Sequence, residues 1–465
     1  MEQSAPSRTA RLQAAVHPPL PRLSPVTTID LGWVLIGNAV VILAMWLRHG
    51  GLDQLATPAG LLTAAGQLTG LYAAYLALIQ LVLMSRSPWL ERAFGMDRLA
   101  WAHRWLGFAA VWLVVAHGLF ITVGYALGDG RGVLDEGWLI LTTYDWVLPA
   151  TVGAALFVAI GITSVRAARS RLTYERWFLV HLLAYLGIAL AFLHQLLVGA
   201  DFMHDGLARA YWIAQFAIAF GLILAFRLVE PIRLNLRHRL RVERVEAEGP
   251  GVVSIVVAGD RLAELPVRSG QYFVWRFLSG PGWWHGHPFS ISAAPNGRRL
   301  RITVKALGDG TRRLQRLRSG TRVWVEGPYG VLTGARRRTR RVARIAGGIG
   351  IAPLRALFEA LPGDPGDLVL VYRARARRHL VLADELEAIA RSRGNSVHFL
   401  VGRRGSRGLP DDPLAADQLL RLVPDLADRD VYLCGPEAML ERLERALRDV
   451  GVPRGRIHVE RFAFA

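Results

Sequence analysis

Hydrophobic residues in the first half of the chain form six long stretches that contain no formal charge. Each stretch is about 17–27 residues long, which suits a hydrocarbon core ~30 Å thick. The first and the last are near the short limit. We therefore predict six transmembrane helices, Leu31–Leu47, Pro58–Met84, Trp105–Leu127, Trp146–Val165, Trp177–Ala200 and Ala210–Phe226.

After about residue 230 the hydrophobic residues alternate with polar ones in short runs, punctuated by glycine and proline. The runs Val252–Val257, Tyr272–Phe277 and Arg301–Lys305 are typical of a small antiparallel β-barrel. From about residue 340 the order becomes strand, glycine turn, helix and strand, which is typical of a parallel α/β nucleotide-binding domain. The predicted fold is therefore multidomain: a six-helix transmembrane bundle, an antiparallel β-barrel and a Rossmann-like α/β domain.

These changes of pattern divide the chain into four segments. Residues 1–28 contain prolines and arginines but no apolar run, so we expect a disordered cytoplasmic arm and not a signal peptide. The other boundaries follow the pattern: residues 29–230 for the transmembrane bundle, 231–338 for the β-barrel and 339–465 for the α/β domain.

The loops between the apolar stretches differ in charge. Arginines cluster after the second, fourth and sixth stretches, whereas the segments after the third and fifth carry mainly aspartate and glutamate. The positive-inside rule then places both termini in the cytoplasm, and we expect the plasma membrane. The formal net charge is +19. We do not expect nucleic-acid binding, because the arginines are spread along the chain or flank apolar helices.

The cysteine content limits the redox cofactors that the chain can hold. Cys434 is the only cysteine. This excludes an intramolecular disulfide, a four-cysteine iron–sulfur cluster and covalently attached c-type haem. A redox cofactor must therefore be a flavin, a nicotinamide, a histidine-ligated metal or a noncovalent haem.

Four histidines lie in the predicted membrane helices or directly before one. His117 lies in the third helix and His103 at its start, two residues before Trp105, while His181 and His194 lie in the fifth. Both helices run from the inside to the outside, so His103 should lie level with His181, and His117 with His194. The spacings of 14 and 13 residues give about 20 Å of rise, which is room for two stacked haems. We therefore predict two b-type haems, each held by two imidazoles.

The helical geometry leaves two questions open at this point. At about 100° per residue, 14 residues return to within about 40° of the starting face, whereas 13 leave the fifth helix about 140° away. That helix would need a bend, a π-turn or a tilt. The alternatives are four unrelated histidines hydrogen-bonded within the bundle, or zinc, although zinc favours clustered ligands and each level offers only two histidines. Ionisable groups in a bilayer are usually functional, which favours haem.

Two motifs in the predicted barrel could contact a flavin. The first is the extended string His287-Pro288-Phe289-Ser290, which combines an aromatic face with a hydroxyl. It could also be an ordinary buried strand. The second runs from Val304 through Lys305 to Thr311 and precedes an arginine-rich helix. Thr311 could cap that helix, whose first amides could bind a pyrophosphate; an ordinary capped helix is the alternative.

Two motifs in the α/β segment could contact a nicotinamide nucleotide. The first is the strand-to-helix turn Gly347-Gly348-Ile349-Gly350-Ile351-Ala352-Pro353. Its glycines let the backbone approach phosphates at the helix N-terminus. The second is Cys434-Gly435-Pro436, in which Cys434 could equally be a buried core residue. Four arginines just past strands could bind an adenosine 2′-phosphate and favour NADPH, or could be solvated: Arg373, Arg375, Arg403 and Arg404.

In this combination and order the motifs resemble those of the NADPH oxidase and ferric reductase superfamily. The resemblance covers nearly the whole chain after the arm, and includes the ending Glu460-Arg461-Phe462. It implies an inner haem on His103 and His181 and an outer haem on His117 and His194. It also implies FAD contacts from His287 to Ser290 and near Thr311, and nicotinamide contacts from Gly347–Pro353 and Cys434–Pro436.

The same resemblance implies a function. Electrons from cytoplasmic NADPH, or from NADH, would pass through FAD and two haems to an external acceptor, either a ferric chelate or oxygen. Cys434 and Phe462 would be the catalytic residues, with Phe462 covering the flavin until the nicotinamide displaces it. The chain runs three residues further, so Phe464 could take that role. The alternative is a haem-binding membrane sensor or an electron-transfer subunit that serves a partner protein.

Two departures from the family pattern narrow this expectation. No EF-hand loop precedes the helices, so calcium regulation is not implied. Ile121, one turn beyond His117, is apolar where some oxidases carry a polar group. This residue argues against superoxide as the product.

Overall fold

The computed structural model describes residues 25–165, 169, 171–172, 174–199, 205–403 and 412–461. The chain forms two compact units, one from Leu23 to Val229 and one that includes Glu230 to Ala465. The first unit is helical, and the second contains the β-sheets.

The helical unit is built from long apolar helices and a few short ones. Its helices are α1 (Pro25–Arg48), α2 (Pro58–Leu83), α3 (Pro88–Phe94), α4 (Met96–Asp129), α5 (Val133–Thr143), α6 (Val147–Ser164), α7 (Tyr174–Val198) and α8 (Gly206–Ile223). The six predicted spans fall on α1, α2, α4, α6, α7 and α8, whereas α3 and α5 were not predicted. Helix α1 begins at Pro25, inside the segment 1–28 that we expected to be a disordered arm.

Within the described residues, five helices are long and apolar enough to cross a bilayer: α2, α4, α6, α7 and the helix that starts with α8. Helix α1 adds a shorter apolar segment, Gly32–Arg48. Many of their exposed side chains are large and hydrophobic, such as Trp112, which suits contact with lipid. The ends carry polar caps: the Thr57 hydroxyl accepts a hydrogen bond from the amide of Gly60, and the Asp205 carboxylate accepts from the amide of Leu207.

Glycines bring the helices of this unit into close contact. A Cβ atom added to Gly66 or Gly124 would lie within 3 Å of atoms of the facing helix, which shows how tightly α2 packs on α4. The same holds for α6 and α7, where a Cβ on Gly153 would lie 3.1 Å from the carbonyl oxygen of Gly187. Small residues at such crossings allow the backbones of membrane helices to approach each other.

The second unit begins with a domain of antiparallel sheets, which we call the antiparallel domain. Its elements are α9 (Glu230–His238), β1 (Arg241–Gly249), β2 (Val252–Ala258), β3 (Tyr272–Phe277), β4 (His287–Ser290), β5 (Arg299–Lys305), α10 (Asp309–Leu314) and β6 (Val323–Tyr329). The sheets have the strand orders β1-β2-β5 and β4-β3-β6. They share one hydrophobic core that includes the fully buried Phe273, Trp275 and Ile302.

The α/β domain follows, with a five-stranded parallel sheet. Its elements are β7 (Val342–Gly347), α11 (Ile351–Ala360), β8 (Leu368–Ala374), α12 (Ala383–Arg393), β9 (Ser396–Val401), α13 (Ala416–Leu422), β10 (Asp430–Gly435), α14 (Glu437–Asp449) and β11 (Ile457–Arg461). The strand order is β11-β10-β7-β8-β9. Hydrophobic clusters cover both faces, which explains why β7 and β10 are buried along their whole length. The order reverses direction between β7 and β10, where open α/β sheets bind ligands.

Candidate functional site

The inner histidine pair lies between helices α4 and α7. The ring centroids of His103 and His181 are 5.8 Å apart, and the rings are inclined at 66°. Trp177, one turn before His181, stacks on the His181 ring at 5.0 Å. The structure thus brings together the two histidines that the sequence placed at the same depth.

The outer pair consists of His117 on α4 and His194 on α7, the same two helices that contribute the inner pair. The Nδ1 atom of His117 lies 2.8 Å from the backbone oxygen of Gly66 on α2. A hydrogen bond of this kind fixes the ring orientation and leaves Nε2 as the free nitrogen, which is the usual arrangement of a metal-binding histidine. Gly70 completes the seat, because a Cβ atom there would lie 2.6 Å from the same Nδ1 atom.

Some imidazole nitrogens of the two pairs have no hydrogen-bond partner, and this bears on whether the residues fit haem. The Nδ1 atoms of His181 and His194 are buried without a hydrogen-bond partner in the described part of the chain. Such atoms are costly in an apolar bundle unless a ligand or a bound group compensates for them. Four imidazoles in two pairs on two apolar helices fit two bis-histidine haems. Within the same described residues, no group of three or more His, Cys, Asp or Glu side chains could hold a metal ion.

The expected irregularity of the fifth span is not a π-turn. Helix α7 is α-helical from Tyr174 to Val198. The π-helical segment is Leu224–Val229, at the end of the last span. A tilt or a bend of α7 therefore remains as the way to turn both His181 and His194 towards α4.

The predicted flavin string forms strand β4. Its residues His287 and Phe289 point to the same face, and their rings stack at 5.8 Å with an angle of 10° between them. Ser290 is buried, and its Oγ atom has no hydrogen-bond partner among the described residues. The stacked rings of His287 and Phe289 fit a planar cofactor such as an isoalloxazine, and the unsatisfied Ser290 hydroxyl is a separate group that could bind a polar atom of a ligand.

The second flavin motif lies against the first. Gly310 packs on the His287 ring, since a Cβ atom there would lie 2.9 Å from Cε1 of His287. We expected Thr311 to be the N-cap of helix α10. It is instead the third residue of that helix. Its hydroxyl accepts hydrogen bonds from the amides of Leu307 and Gly308. Lys305 is exposed at the end of β5.

The electrostatics of β4 favour an uncharged imidazole. Burial lowers the pKa of His287, and the nearby charges of His285 and Arg276 lower it further. The ring is therefore neutral at pH 7 and can present its aromatic face or a single N–H group to a ligand.

The two nucleotide motifs meet where the sheet order reverses. A Cβ atom on Gly350 would lie 2.3 Å from the carbonyl oxygen of Cys434, and one on Gly435 would lie 3.2 Å from the backbone of Gly347. Gly348 has a positive φ of 55° and open space around it. The Ile349 side chain is partly buried, while Ala352 and Pro353 are buried at the start of α11. Backbone thus approaches backbone across the β7–β10 crevice.

Cys434 is fully buried, with its side chain in the core above β10. Burial, followed by the charge of Glu460, raises the pKa of its thiol. The thiol is therefore protonated at neutral pH and is not a thiolate nucleophile. The Cys434 carbonyl group lines the β10 side of the β7–β10 crevice, together with the neighbouring Gly435 and Pro436.

The predicted 2′-phosphate ligands differ in environment. Arg373 donates to the carbonyl oxygens of Leu400 at 3.0 Å and Gly402 at 2.6 Å, so its guanidinium braces the ends of β8 and β9. Arg375 and Arg403 are exposed. Arg404, Phe462 and Phe464 lie outside the described residues, which end at Arg461 beside Gly435.

Three protein-family models match consecutive parts of the chain. They are a ferric reductase like transmembrane component at residues 69–192, an FAD-binding domain at 240–333 and an oxidoreductase NAD-binding domain at 345–445. The ferredoxin–NAD(+) reductase component of an alkene monooxygenase system from Xanthobacter autotrophicus is 30% identical over 49% of this chain and 70% of its own length. The chain belongs to the ferric reductase and NADPH oxidase superfamily. It therefore contains a membrane-spanning domain fused to FAD- and NAD(P)-binding domains.

Other similar proteins match only the FAD- and NAD(P)-binding part of the chain. A probable electron transfer subunit of dihydroorotate dehydrogenase B from Pyrococcus abyssi is 36% identical over 35% of the chain. The chain spans 58% of that relative's length. The flavohem-like FAD/NAD binding domain of nitric oxide dioxygenase from Vibrio cholerae is 22% identical over 48% of the chain and 97% of its own length, with a TM-score of 0.37.

The sequence interpretation missed the glycines that seat His117. Gly66 and Gly70 form a Gly-x-x-x-Gly pattern in the second apolar stretch. That pattern is a known signal for close helix contact in membranes. It could have identified α2 as the helix that supports the outer pair.

Proposed function

We propose that this chain moves electrons from cytoplasmic NADPH, through FAD and two b-type haems, to an acceptor on the other side of the membrane. The observation that carries the proposal is the presence of two imidazole pairs on apolar helices of the same chain that contains the flavin and nucleotide domains. A bound flavin accepts a hydride from NADPH and releases electrons singly, as haem iron requires. Either a ferric chelate or oxygen is the proposed acceptor.

In this proposal the histidines only bind and orient. His103 and His181 would hold the inner haem, and His117 and His194 the outer one. The Gly66 carbonyl group keeps the His117 proton on Nδ1 and so presents Nε2 to iron. No side chain here needs to move a proton. The apolar helices would exclude water from haems held by these four histidines, and this burial would help to set the haem potentials.

The remaining site residues would hold the nucleotides. His287, Pro288, Phe289 and Ser290 line the flavin face, with Lys305 and Thr311 beside the pyrophosphate. The turn from Gly347 to Pro353 and the segment Cys434–Pro436 take the nicotinamide nucleotide. Arg403, which is exposed, would recognise the 2′-phosphate of NADPH, whereas Arg373, for which the sequence predicts the same role, donates to the carbonyl oxygens of Leu400 and Gly402. As the resemblance implies, Phe462 or Phe464 would cover the flavin.

The charge distribution supports an orientation in the plasma membrane with the flavin domains inside. The segment after α7 carries Asp201 and Asp205, and that between α4 and α6 carries Asp129, Asp135 and Glu136. The segments on the other side are rich in arginine. The positive-inside rule therefore keeps the nucleotide domains in the cytoplasm, where NADPH is available.

The test is spectroscopic and uses the intact chain in detergent. NADPH should reduce both haems of the wild-type protein. The variant His117→Leu should keep NADPH-dependent reduction of FAD and of one haem, but should lose reduction of external ferric chelate and oxygen by at least about 100-fold. Absence of a Soret band after expression with ample haem would refute the proposal, as would fast reduction of the external acceptor by the variant.

A second candidate is an electron donor that serves a partner protein. Two of the similar proteins have names that describe a reductase component or an electron transfer subunit. The two candidates differ in their need for a partner. Steady NADPH turnover with ferric chelate or oxygen by the purified chain alone would favour the first, and turnover only after a partner is added would favour the second.

A further inference from the structure

Alternating arginine and glutamate side chains connect the antiparallel domain to the α/β domain. Arg301 on β5 binds both carboxylate oxygens of Glu385 on α12, with N–O distances of 2.7 and 2.9 Å. Arg355 on α11 binds the same carboxylate at 2.7 Å and also contacts Glu359. We call these four residues the interdomain network.

The network also holds the segment that follows the flavin strand β4. Arg301 donates to the carbonyl oxygen of Ser292 at 3.0 Å. The carboxylate of Glu359 accepts from the amide of Ala294 at 2.7 Å. Ser292 and Ala294 follow the His287–Ser290 string, and Glu359 lies on the helix that follows the glycine turn. The network therefore links the flavin strand to the helix behind the nucleotide turn.

Burial makes these contacts strong enough to fix an orientation. The side chains of Arg355 and Arg301 are only 9% and 12% exposed. Burial opposes ionisation of Glu385, but the hydrogen bond from Arg301 and the charge of Arg355 outweigh it and lower the pKa of this carboxyl group. Two arginines balance two glutamates, so the network carries no net charge. Paired guanidinium–carboxylate bonds also restrict geometry more than single bonds do.

A neighbouring ion pair on the same strand lacks these properties. Arg299, two residues before Arg301, binds Glu243 at 2.6 Å. Both residues belong to the antiparallel domain, and the Arg299 side chain is 53% exposed. Exposed pairs of this kind contribute little to stability. Arg299 is therefore a control that removes the same charge from the same strand without touching the domain contact.

We propose that the interdomain network positions the α/β domain so that the nicotinamide ring meets the flavin at reacting distance. This inference rests on the proposed function. The reaction it serves moves one hydride, and so two electrons, from NADPH to FAD and leaves NADP⁺. Such transfers fall steeply in rate when the reacting atoms are held about 1 Å too far apart. The four residues are positioning residues, because none of them needs to touch either ring.

The test compares Arg301→Leu with Arg299→Leu in the full-length protein. Arg301→Leu should retain FAD and bind NADPH within about twofold of the wild type, but should slow single-turnover FAD reduction at least about tenfold. Arg301→Lys, which keeps the charge and a donor but cannot bind both carboxylate oxygens of Glu385 at once, should lose less of the rate than Arg301→Leu. Arg299→Leu should behave as the wild type. Equal rates for the two single variants would overturn the inference.

A second measurement does not depend on turnover. In the absence of NADPH, Arg301→Leu should increase amide hydrogen exchange in residues 292–294 and in α12, while exchange in β2 stays unchanged. Unchanged exchange in residues 292–294 would also overturn the inference. Failure of the wild-type protein to accept hydride from NADPH would instead refute the proposed function, so the two failures can be told apart.

Discussion

Single residues decide how the outer histidine pair is seated. Gly66 offers its carbonyl oxygen to His117, and Gly70 leaves room for the imidazole ring. At residue scale the histidines could be predicted from the sequence, because polar side chains are rare in apolar helices. Their glycine seat could not, because a glycine in a hydrophobic stretch has no chemistry of its own. Its role depends on which helix packs opposite.

The seat of His117 leads to a prediction for Gly70→Ala. The new methyl group would lie 2.6 Å from Nδ1 of His117, so the ring must move. We expect the ratio of haem to FAD to fall from about two towards one, measured by pyridine haemochromogen and flavin absorbance. Gly118→Ala is the control, because its Cβ atom would have nothing within 4 Å. A full haem complement in Gly70→Ala would contradict this view of the seat.

At the scale of elements, hydrophobic periodicity predicts the fold better than it predicts the ends of helices. The six apolar stretches follow from contact with lipid, and the strands of the α/β domain follow from burial on both faces of the sheet. By contrast, α3 and α5 are short helices whose packing the periodicity does not reveal. The predicted N-cap of α10 was also wrong: the helix begins after Gly308, and Thr311 is its third residue.

The edge of the α/β sheet contains a buried pair that makes stability depend on pH. His458 on β11 lies 2.8 Å from the Asp430 carboxylate on β10, which also accepts from the amide of Arg338. Burial lowers the pKa of His458, and the hydrogen bond to Asp430 opposes that shift only in part. Burial opposes ionisation of Asp430 as well, but its hydrogen bonds outweigh burial and lower its pKa.

Both shifts have the same consequence. With each pKa lower in the folded state, the unfolded chain binds more protons, so the free energy of unfolding falls as the pH falls. The His458 contribution declines by at most ~1.4 kcal/mol per pH unit between about 6.5 and its lower folded-state pKa. Melting of the α/β domain, followed by circular dichroism, should therefore shift to lower temperature from pH 7 to pH 5. His458→Gln should show a smaller shift, and an equal one would contradict the assignment.

At the scale of the whole molecule, the structure consists of a helical unit and a nucleotide-binding unit on one chain. Family membership shows which domains these are. The proposed orientation in the membrane rests on loop charge, because arginine-rich loops stay on the cytoplasmic side. The terminal acceptor depends on the outer surface and could not be predicted from either half alone.

The orientation can be tested with single cysteines, because the only native thiol, Cys434, is buried. A membrane-impermeant maleimide should label Asp129→Cys in intact cells, since this position is the last residue of α4, at its proposed outer end. Arg171→Cys, between α6 and α7, should be labelled only after the membrane is opened. The reverse pattern of labelling would invert the proposed topology.

Helices α4 and α7 each contribute one histidine ring to the inner pair and one to the outer pair. In a haem-loaded chain the two iron centres would therefore share a single frame. Axial sliding of either helix would shear both coordination spheres by the same amount. A change of lipid thickness or an applied pressure that moves α7 should accordingly shift both midpoint potentials together and not select one centre.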